Sequence, residues 1–424
     1  MEISFHLNGN MTDLKTQLSP EESSGSFHLQ PSRLTYYQFR STDKRIQTTS
    51  FNINPSIQSH KNTSNSNTSK SSYLDVGASI YHNDRFYRNN KWFFEIENNL
   101  ITRFNGNRVK SNAVKNKTNE AIVNDRLSLG FGKGRIEHVQ DAQMALFILN
   151  DLNEMGLITG KPEAQTINEF ATLITDINNK RVFDSRRRRI YELTRIESFL
   201  REKGILSETD IRHFTIINDN WALAMNPFRS SGSNWYVRVV GNGSLDRDRS
   251  EYENGYSQIN KSYQYSFVLG PQIGYENYLP VNLHWQRNMG ISANWNFITT
   301  DLETTSIYNG TMTEIITASR ESDARVYMFY GMSYYPNNRT SIGGVVALEG
   351  KRHQHDDKSA FERSYILSPE FNLYADYFIG YRTRLNASAQ VHYDKAMSDF
   401  KGGGSLNEHF LNAGFSISLF HAIF

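Results

Sequence analysis

The chain has 424 residues, a formal net charge of +2 at pH 7 and no cysteine, so its charge gives no reason to expect nucleic-acid binding, and disulfide frameworks and thiolate chemistry are excluded. Hydrophobic residues make up only 38% of the chain and the mean hydropathy is -0.59, yet aromatic residues reach 13%. No segment approaches the roughly 20 apolar residues of a membrane helix, and strands with one apolar and one polar face accommodate the aromatic residues best.

The N-terminal third, residues 1–133, has the pattern of about six strands. Met1 is followed at once by a strand-like segment and no signal peptide is visible, so we expect the numbering to describe a mature chain whose leader has been removed. Long polar stretches at 12–25, 59–72 and 105–118 alternate with short turn-like stretches at 41–44 and 86–90. This alternation predicts hairpins with long loops at one end and short turns at the other.

A glycine-rich segment, residues 130–135, joins the last of these strands to a helical pattern. It lacks the Gly-Lys-Ser/Thr ending and the spacing of a phosphate-binding P-loop. We interpret it as a flexible hinge between the strand and the segment that follows.

In residues 134–230 the period of the apolar residues changes from two to about 3.6, which predicts an inserted helical domain. The first and third helices are expected to end at Gly156 and Gly204, because glycine readily adopts the left-handed conformation that closes a helix. Similar sequences around these glycines suggest two related helical hairpins. The apolar stripes of the helices could form a core of their own, which favours a separate bundle over a plug inside a barrel.

Four consecutive arginines lie near the start of the third helix: Arg186, Arg187, Arg188 and Arg189. Positive charge at this end of a helix opposes the helix dipole. One interpretation is contact with an anionic cell-wall polymer, phospholipid headgroups or an acidic partner. The alternative is a solvated helix face whose charges are balanced by Asp184, Glu192 and Glu197.

The C-terminal part, residues 231–424, predicts about eight further strands. In segment 381–394 the odd positions are apolar or small apart from Thr383, and the even positions are polar. The same alternation recurs in segments 263–275, 281–297 and 365–377. Long strands of this kind are typical of membrane barrels, so we predict an all-β transmembrane barrel of about 14 antiparallel strands with the helical domain inserted.

The lengths of the connections also predict an orientation. Outer-membrane barrels have short periplasmic turns, long external loops and both termini in the periplasm. The polar stretches 246–260 and 395–407 fit external loops, and 276–280 fits a periplasmic turn. By this count the C-terminus and the helical domain, which follows the sixth strand, lie on the periplasmic side.

Polar positions of the alternating strands supply candidates for a row of lumen-facing side chains. Those on the last strands are Glu370, Asn372, Asp376, Arg382, Arg384 and His392, and those on an earlier strand are His284 and Gln286. Opposite charges on neighbouring strands fit either a charge ladder across a lumen or a network of salt bridges that fills it. The sequence leaves both interpretations open.

No segment predicts a metal site, a cofactor site or a catalytic set. The cluster from His353 to Asp357 has metal-capable side chains, but it lies in a predicted external loop, where such residues are usually solvated. His284, His392, Ser292 and Ser388 occupy polar rows, but nothing in their spacing orders them as a nucleophile and its base. We therefore expect no metal, no cofactor and no enzymatic activity.

The chain ends in Phe424, and a C-terminal strand ending in phenylalanine is the mark that the bacterial barrel-assembly machinery reads in outer-membrane proteins. In this C-terminal phenylalanine and in its strand pattern the chain resembles bacterial outer-membrane β-barrel proteins. Its composition, rich in Tyr and Asn, is similar to that of outer-membrane proteins of Bacteroidota. The resemblance implies an outer-membrane location, contact with lipid and lipopolysaccharide, and assembly by that machinery. Because the outward row from Leu411 to Leu419 is odd-numbered, we expect a bulge near Phe420 and His421.

Two functions fit this architecture. A polar lumen of about 14 strands favours a pore for passive or facilitated passage of small hydrophilic solutes. A simple pore has no need of a helical domain. The insert therefore favours a second interpretation, a non-transporting subunit or scaffold of an envelope complex in which residues 136–228 bind a protein partner or the cell wall.

Overall fold

The computed structural model describes residues 2–16, 19–64, 67–89, 91–111, 114–158, 162–180, 185–206, 211–223, 229–356, 359–380 and 383–421. Within these residues the chain forms 14 strands and four helices. None of the described helices is both long enough and apolar enough to cross a membrane.

Six strands precede the helices and eight follow them. The first six are β1 (Glu2–Thr16), β2 (Ser19–Thr42), β3 (Arg45–Ser64), β4 (Asn67–Arg88), β5 (Trp92–Lys110) and β6 (Lys115–His138). The helices are α1 (Gln140–Glu154), α2 (Ala164–Asn179), α3 (Ser185–Glu202) and α4 (Ile211–Ala222). The last eight strands are β7 (Ser230–Glu253), β8 (Ser257–Pro280), β9 (Trp285–Tyr308), β10 (Thr311–Asn337), β11 (Thr340–Gln354), β12 (Phe361–Gly380), β13 (Thr383–Phe400) and β14 (Ser405–His421).

All these strands belong to one antiparallel sheet, in which each strand pairs with its neighbours in chain order. The prediction of a large antiparallel sheet with helices spliced into it is confirmed. β6 and β7 pair directly with each other, so the helices leave the sheet at one end without interrupting it. The two edges are β1 and β14, and within the described part of the chain no pairing joins them.

The sheet has an apolar face and a polar face, because apolar and polar residues alternate along the strands. On the apolar face, Phe94, Val237 and Trp295 are 45%, 45% and 55% exposed. On the polar face, Glu95 and Gln286 are 0% and 2% exposed. Exposed apolar and buried polar side chains invert the arrangement that is usual in a protein surrounded by water.

Connections at the end of the sheet opposite the helices are shorter than the sequence predicts. The expected loops at 12–25, 59–72, 105–118 and 246–260 are largely strand. The expectation was wrong because backbone pairing continues after the apolar alternation ends and forms tall hairpins. The predicted bulge near Phe420 and His421 is also wrong, since β14 stays in register with β13 up to His421.

Segment 130–135 is not a flexible hinge. β6 runs through it without interruption and pairs with β5 and β7. A methyl group on Gly132 would lie 2.4 Å from the ring of Phe93, which is directly opposite on β5. Gly132 therefore allows the neighbouring strands to pack closely. A glycine with this role cannot be distinguished in the sequence from one that makes the chain flexible.

The same packing recurs on the polar face, where an aromatic side chain covers a glycine directly opposite it on the neighbouring strand. The pairs are Phe93 with Gly132, Tyr236 with Gly274, Phe329 with Gly290 and Tyr374 with Gly343. A shift of register by one residue would place a side chain where the ring lies. These aromatic–glycine pairs therefore help to fix how the strands align.

The four helices share a core of their own, in which Ile148, Phe170, Ile174, Ile196 and Leu200 are each 0% exposed. The predicted ends of α1 and α3 are confirmed, because Gly156 and Gly204 follow them with φ angles of +67° and +65°. Just beyond these glycines, Ile158 and Leu206 form an antiparallel bridge that joins the two helical hairpins.

Candidate functional site on the polar face

A cavity of about 520 Å³ lies on the polar face, at the end of the sheet from which the helices emerge. Its lining includes His138 and Ser230, the residues of β6 and β7 next to the helices. Charged and aromatic side chains dominate the rest of the wall, among them Tyr81, Arg85, Glu97, Arg238, Glu276 and Tyr278.

Arg85, which lines the cavity, is held by an ion pair with Glu95 that joins β4 to β5. Arg85 donates from Nε and Nη2 to Glu95 Oε1 at 3.2 and 3.1 Å, and Asn83 Nδ2 donates to the same oxygen at 2.6 Å. The guanidinium of Arg85 also lies 5.1 Å from the ring centroid of Phe93. Glu95 is fully buried, and these three donors offset part of the cost of burying its carboxylate through Oε1, whereas Oε2 has no hydrogen-bond partner among the described residues.

A second arginine reaches the same wall from β7. Arg238 donates from Nη1 to Glu97 Oε2 at 3.3 Å and from Nε to Gln272 Oε1 at 2.8 Å. Its side chain crosses β6 above Gly130, where a methyl group would lie 2.9 Å from the Cβ atom of Arg238. Gly130 therefore allows side chains of β5 and β7 to meet across the strand between them.

The cavity wall thus brings cationic and anionic groups to one surface. Arg85 and Arg238 supply hydrogen-bond donors, and Glu97 and Glu276 supply acceptors. A wall of this composition offers both donors and acceptors to water or to a polar molecule in the cavity.

On β12 and β13 the structure brings part of the predicted row together. Arg384 and Asp376 form an ion pair in which Nε lies 2.8 Å from Oδ1. Asn386 Nδ2 donates to the same oxygen at 2.9 Å. This arrangement links neighbouring strands and satisfies both charges locally.

Other residues of that row face different partners from those expected. Glu370 is opposite His392 in the sheet but accepts a hydrogen bond from Asn372 Nδ2 at 2.6 Å. His392 Nε2 lies 3.1 Å from Asp394 Oδ1 on its own strand. Arg382 lies outside the described residues. Glu370, Asn372 and His392 are not among the described residues that line the cavity.

His284 lies in a turn and not on a strand, which corrects the predicted strand 281–297. The side chain of Asn282 accepts hydrogen bonds from the backbone N–H groups of His284 and Trp285 at 2.9 and 2.8 Å and closes the turn before β9. The imidazole of His284 lies 6.3 Å from the ring centroid of Phe147 on α1. Its position is therefore at the junction of sheet and helices.

Gln286 does line the cavity, and it also belongs to that junction. Arg229, 3% exposed, donates from Nε to Gln286 Oε1 at 3.1 Å. Its other nitrogens donate to the backbone oxygens of Leu283, Asn282 and Trp285 at 2.6, 2.9 and 2.9 Å. This buried arginine fastens the segment after the helices to the turn between β8 and β9.

A second contact joins the helices to the turn between β10 and β11. Arg339 Nε donates to Asp219 Oδ2 at 3.2 Å, and Asn338 Nδ2 donates to Asn220 Oδ1 at 2.5 Å. Asn220 in turn donates to Asp151 Oδ2 at 2.8 Å. Since Asp151 lies on α1 and Asn220 on α4, one hydrogen-bond chain crosses from the sheet into the helical core.

The arginine run lies on an exposed part of α3. Arg188 Nε donates to Glu192 Oε1 at 2.6 Å, and Arg189 Nη1 lies 3.8 Å from the other carboxylate oxygen. Glu192 is buried and also accepts from Trp221 Nε1 at 2.7 Å. These contacts involve Arg188 and Arg189, the last two arginines of the run.

The assembly signal predicted at Phe424 lies outside the described residues.

Sequence reasoning missed the residues that matter most to the cavity and to the junction. Glu95 and Glu97 alternate with the apolar residues of β5, and Arg238 lies between Val237 and Val239, so the period of two could have identified them. No comparable signal marks Arg229, because it precedes its strand and its partners are backbone oxygens.

No family model matches the sequence, and no curated protein matches it. Similar solved structures include the ferric yersiniabactin uptake receptor FyuA from Yersinia pestis, at 5% identity and a TM-score of 0.34, covering 94% of this chain and 69% of that one. The translocator domain of autotransporter NalP from Neisseria meningitidis has 7% identity and a TM-score of 0.26, with 91% and 90% covered. A deltaS2 mutant of the TodX monoaromatic hydrocarbon channel has 8% identity and a TM-score of 0.32, with 95% and 85% covered. These neighbours are outer-membrane β-barrels.

Proposed function

We propose that the chain closes into a β-barrel of a Gram-negative outer membrane by pairing β14 with β1, and that the polar face lines a pore for small hydrophilic solutes. The observation that carries this proposal is the inverted sheet, with large apolar side chains exposed on one face and ion pairs buried on the other. Lipid around the apolar face and water along the polar face would satisfy both.

The order of the strands supports closure. The first and last strands are the two edges of the sheet, and β14 carries Leu411, Phe415 and Ile417 at 66%, 84% and 69% exposure. An edge strand with this much exposed apolar surface is prone to pair with another chain. Pairing with β1 within the same chain removes both edges and gives these side chains a lipid environment.

The domain arrangement belongs to the same proposal. Residues 1–138 and 230–424 form the barrel, because β6 continues past the predicted boundary at 133 to His138, and the residues between them form a helical domain beneath it. The helices contact the turns at 281–284 and 338–339, which lie at the end of the sheet opposite the tall hairpins. The longer hairpins of such barrels typically rise on the external side, so in this proposal the helical domain and the end of β14 lie in the periplasm.

Conductance of the refolded protein in planar bilayers tests the pore. We expect discrete current steps from the full chain, and a shift of ion preference toward cations in Arg238→Gln, because Glu97 and Glu276 then lose a neighbouring cation. Arg186→Gln removes the same charge from the helical domain and is the matched control. Folded wild-type protein without current steps would contradict the pore.

A second candidate is a scaffold that binds an envelope partner through the helices. It is favoured by three exposed apolar side chains, Ile190, Ile211 and Phe214, at 57%, 76% and 47% exposure, the first of them directly after the arginine run. Crosslinking in native membranes tests it. A partner captured by the wild type and lost in a variant with Arg186, Arg187 and Ile190 replaced by serine supports the scaffold. Recovery of the wild type alone would count against it.

A further inference from the structure

Three metal-capable side chains from different parts of the chain converge at the end of the sheet opposite the helices. Glu321 lies on β10, His353 lies on β11, and His355 lies just beyond the end of β11. One potential ligand atom from each residue lies within 4.8 Å of the other two. The two imidazole centroids are 4.5 Å apart, and His353 Nε2 lies 3.0 Å from Glu321 Oε2.

The register of the strands explains this convergence. Ser322 pairs with Gln354, so β10 continues past the end of β11 and carries Glu321 beside the two histidines. The residues at 321 and 353 lie on the polar face, because Asp323, directly opposite His353, is buried there with Ser333. Glu321 could not be predicted as a partner from the sequence, because 32 positions of the chain separate it from His353.

His355 is held in place from a third strand. Its backbone N–H donates to Glu362 O at 3.1 Å, and its Nε2 lies 2.8 Å from Ser364 Oγ on β12. With Nε2–H donated to that hydroxyl, the lone pair of the neutral imidazole lies on Nδ1.

We propose that Glu321, His353 and His355 form a binding site for Zn²⁺, with water as the fourth ligand. Two imidazoles and one carboxylate are a ligand set that zinc uses in proteins, whereas calcium and magnesium prefer oxygen ligands alone. The distance of 3.0 Å between His353 Nε2 and Glu321 Oε2 is close to the roughly 3.4 Å expected for two ligands of one tetrahedral zinc ion. Among the described residues, the buried Nδ1 of His353 has no hydrogen-bond partner, so the ring is engaged through Nε2 beside Glu321.

The bound ion would connect β10, β11 and the segment that follows β11. It would fasten the hairpin of β9 and β10, which rises beyond β11, to the segment that joins β11 and β12. This proposal depends only on the local register of β10, β11 and β12. It therefore stands apart from the proposed pore and from closure of the barrel.

Zinc binding by the refolded full chain, purified without a polyhistidine tag, tests the site. Isothermal titration with ZnCl₂ is expected to give one ion per chain at micromolar affinity. Glu321→Gln and His355→Asn are expected to weaken binding at least about tenfold. His60→Asn, which removes an exposed imidazole from β3, should leave binding unchanged.

Folding and ligation are separated by a fourth variant. Ser364→Ala keeps all three ligands and removes only the hydroxyl that orients His355, so one ion per chain should remain, with affinity reduced by up to about tenfold. The proposal is overturned if the wild type binds no zinc up to about 100 µM, or if His60→Asn weakens binding as much as His355→Asn does.

Discussion

Arg229 connects the two parts of the molecule through a single buried side chain. Its guanidinium donates to three backbone oxygens of the turn before β9 and to Gln286. Removing a buried donor leaves its acceptors without partners, and this loss exceeds the net contribution of the hydrogen bonds themselves.

Arg229→Ala is therefore expected to destabilise the junction by about 3 kcal/mol. Amide hydrogen exchange of the full chain should show lost protection at Leu283 to Gln286 and in α1. Arg201→Ala is the control, because the side chain of Arg201 forms a half-exposed ion pair with Glu197, away from the junction. Equal protection in Arg229→Ala and in the wild type would show that the junction does not depend on this side chain.

Asp151 makes the stability of the helical domain depend on pH. Burial raises its pKa, and the hydrogen bond from Asn220 opposes that effect. A carboxyl group whose pKa is raised on folding contributes stability that is fully present below its unfolded pKa of about 3.9 and is lost as the pH rises through the folded value.

Asp151→Asn should therefore protect α1 and α4 from exchange at pH 7 more than the wild type does, because the amide oxygen still accepts from Asn220 without the buried charge. The advantage should shrink as the pH approaches about 4, where the wild-type carboxyl is itself protonated. Comparison of the two proteins by hydrogen exchange at each pH measures this difference. A constant difference between pH 4 and pH 7 would be inconsistent with titration of this group.

At the scale of single elements, the aromatic–glycine pairs constrain how neighbouring strands align. A methyl group on Gly274 would lie 2.4 Å from Tyr236 Cζ, so the ring would have to leave its place. Gly243, on β7, has open space around its Cα and provides a matched control.

Gly274→Ala is expected to lower the free energy of unfolding by about 1–3 kcal/mol, and Gly243→Ala by less than about 1 kcal/mol. Urea unfolding of detergent-folded protein, followed by tryptophan fluorescence, measures both. Combining Gly274→Ala with Tyr236→Ala should be less destabilising than the sum of the single changes. Full additivity would mean that ring and glycine do not interact.

Individual strands were predictable where apolar and polar side chains alternate, and helix ends were predictable where a glycine can adopt the left-handed conformation. Trp295 and Asn296 already show which face of β9 is apolar, and Gly156 and Gly204 mark where helices end. The tall hairpins were missed because the strands remain paired beyond the segments with apolar alternation, and this pairing needs only backbone hydrogen bonds. The position of His284 was missed because the side chain of Asn282 closes a turn within an otherwise alternating segment.

At the scale of the whole molecule, sites formed between distant strands could not be predicted. Arg238 meets Glu97 across 141 positions of the chain, and only the register of β5, β6 and β7 together with Gly130 brings them into contact. The convergence of Glu321 with His353 has the same origin. Periodicity assigns each residue to a face, whereas register decides which residues on that face are neighbours.

The proposed barrel makes the first and last strands neighbours, and the chain has no native cysteine to interfere with a disulfide scan. We suggest combining Asn412→Cys on β14 with single cysteines at successive positions of β1 in the folded protein. The pair Asn386→Cys and Ser418→Cys, directly opposite in β13 and β14, is the positive control. Closure predicts efficient disulfide formation at one position of β1 and weaker formation two residues to either side. Crosslinking in the control pair, with none at any position of β1, would contradict the barrel.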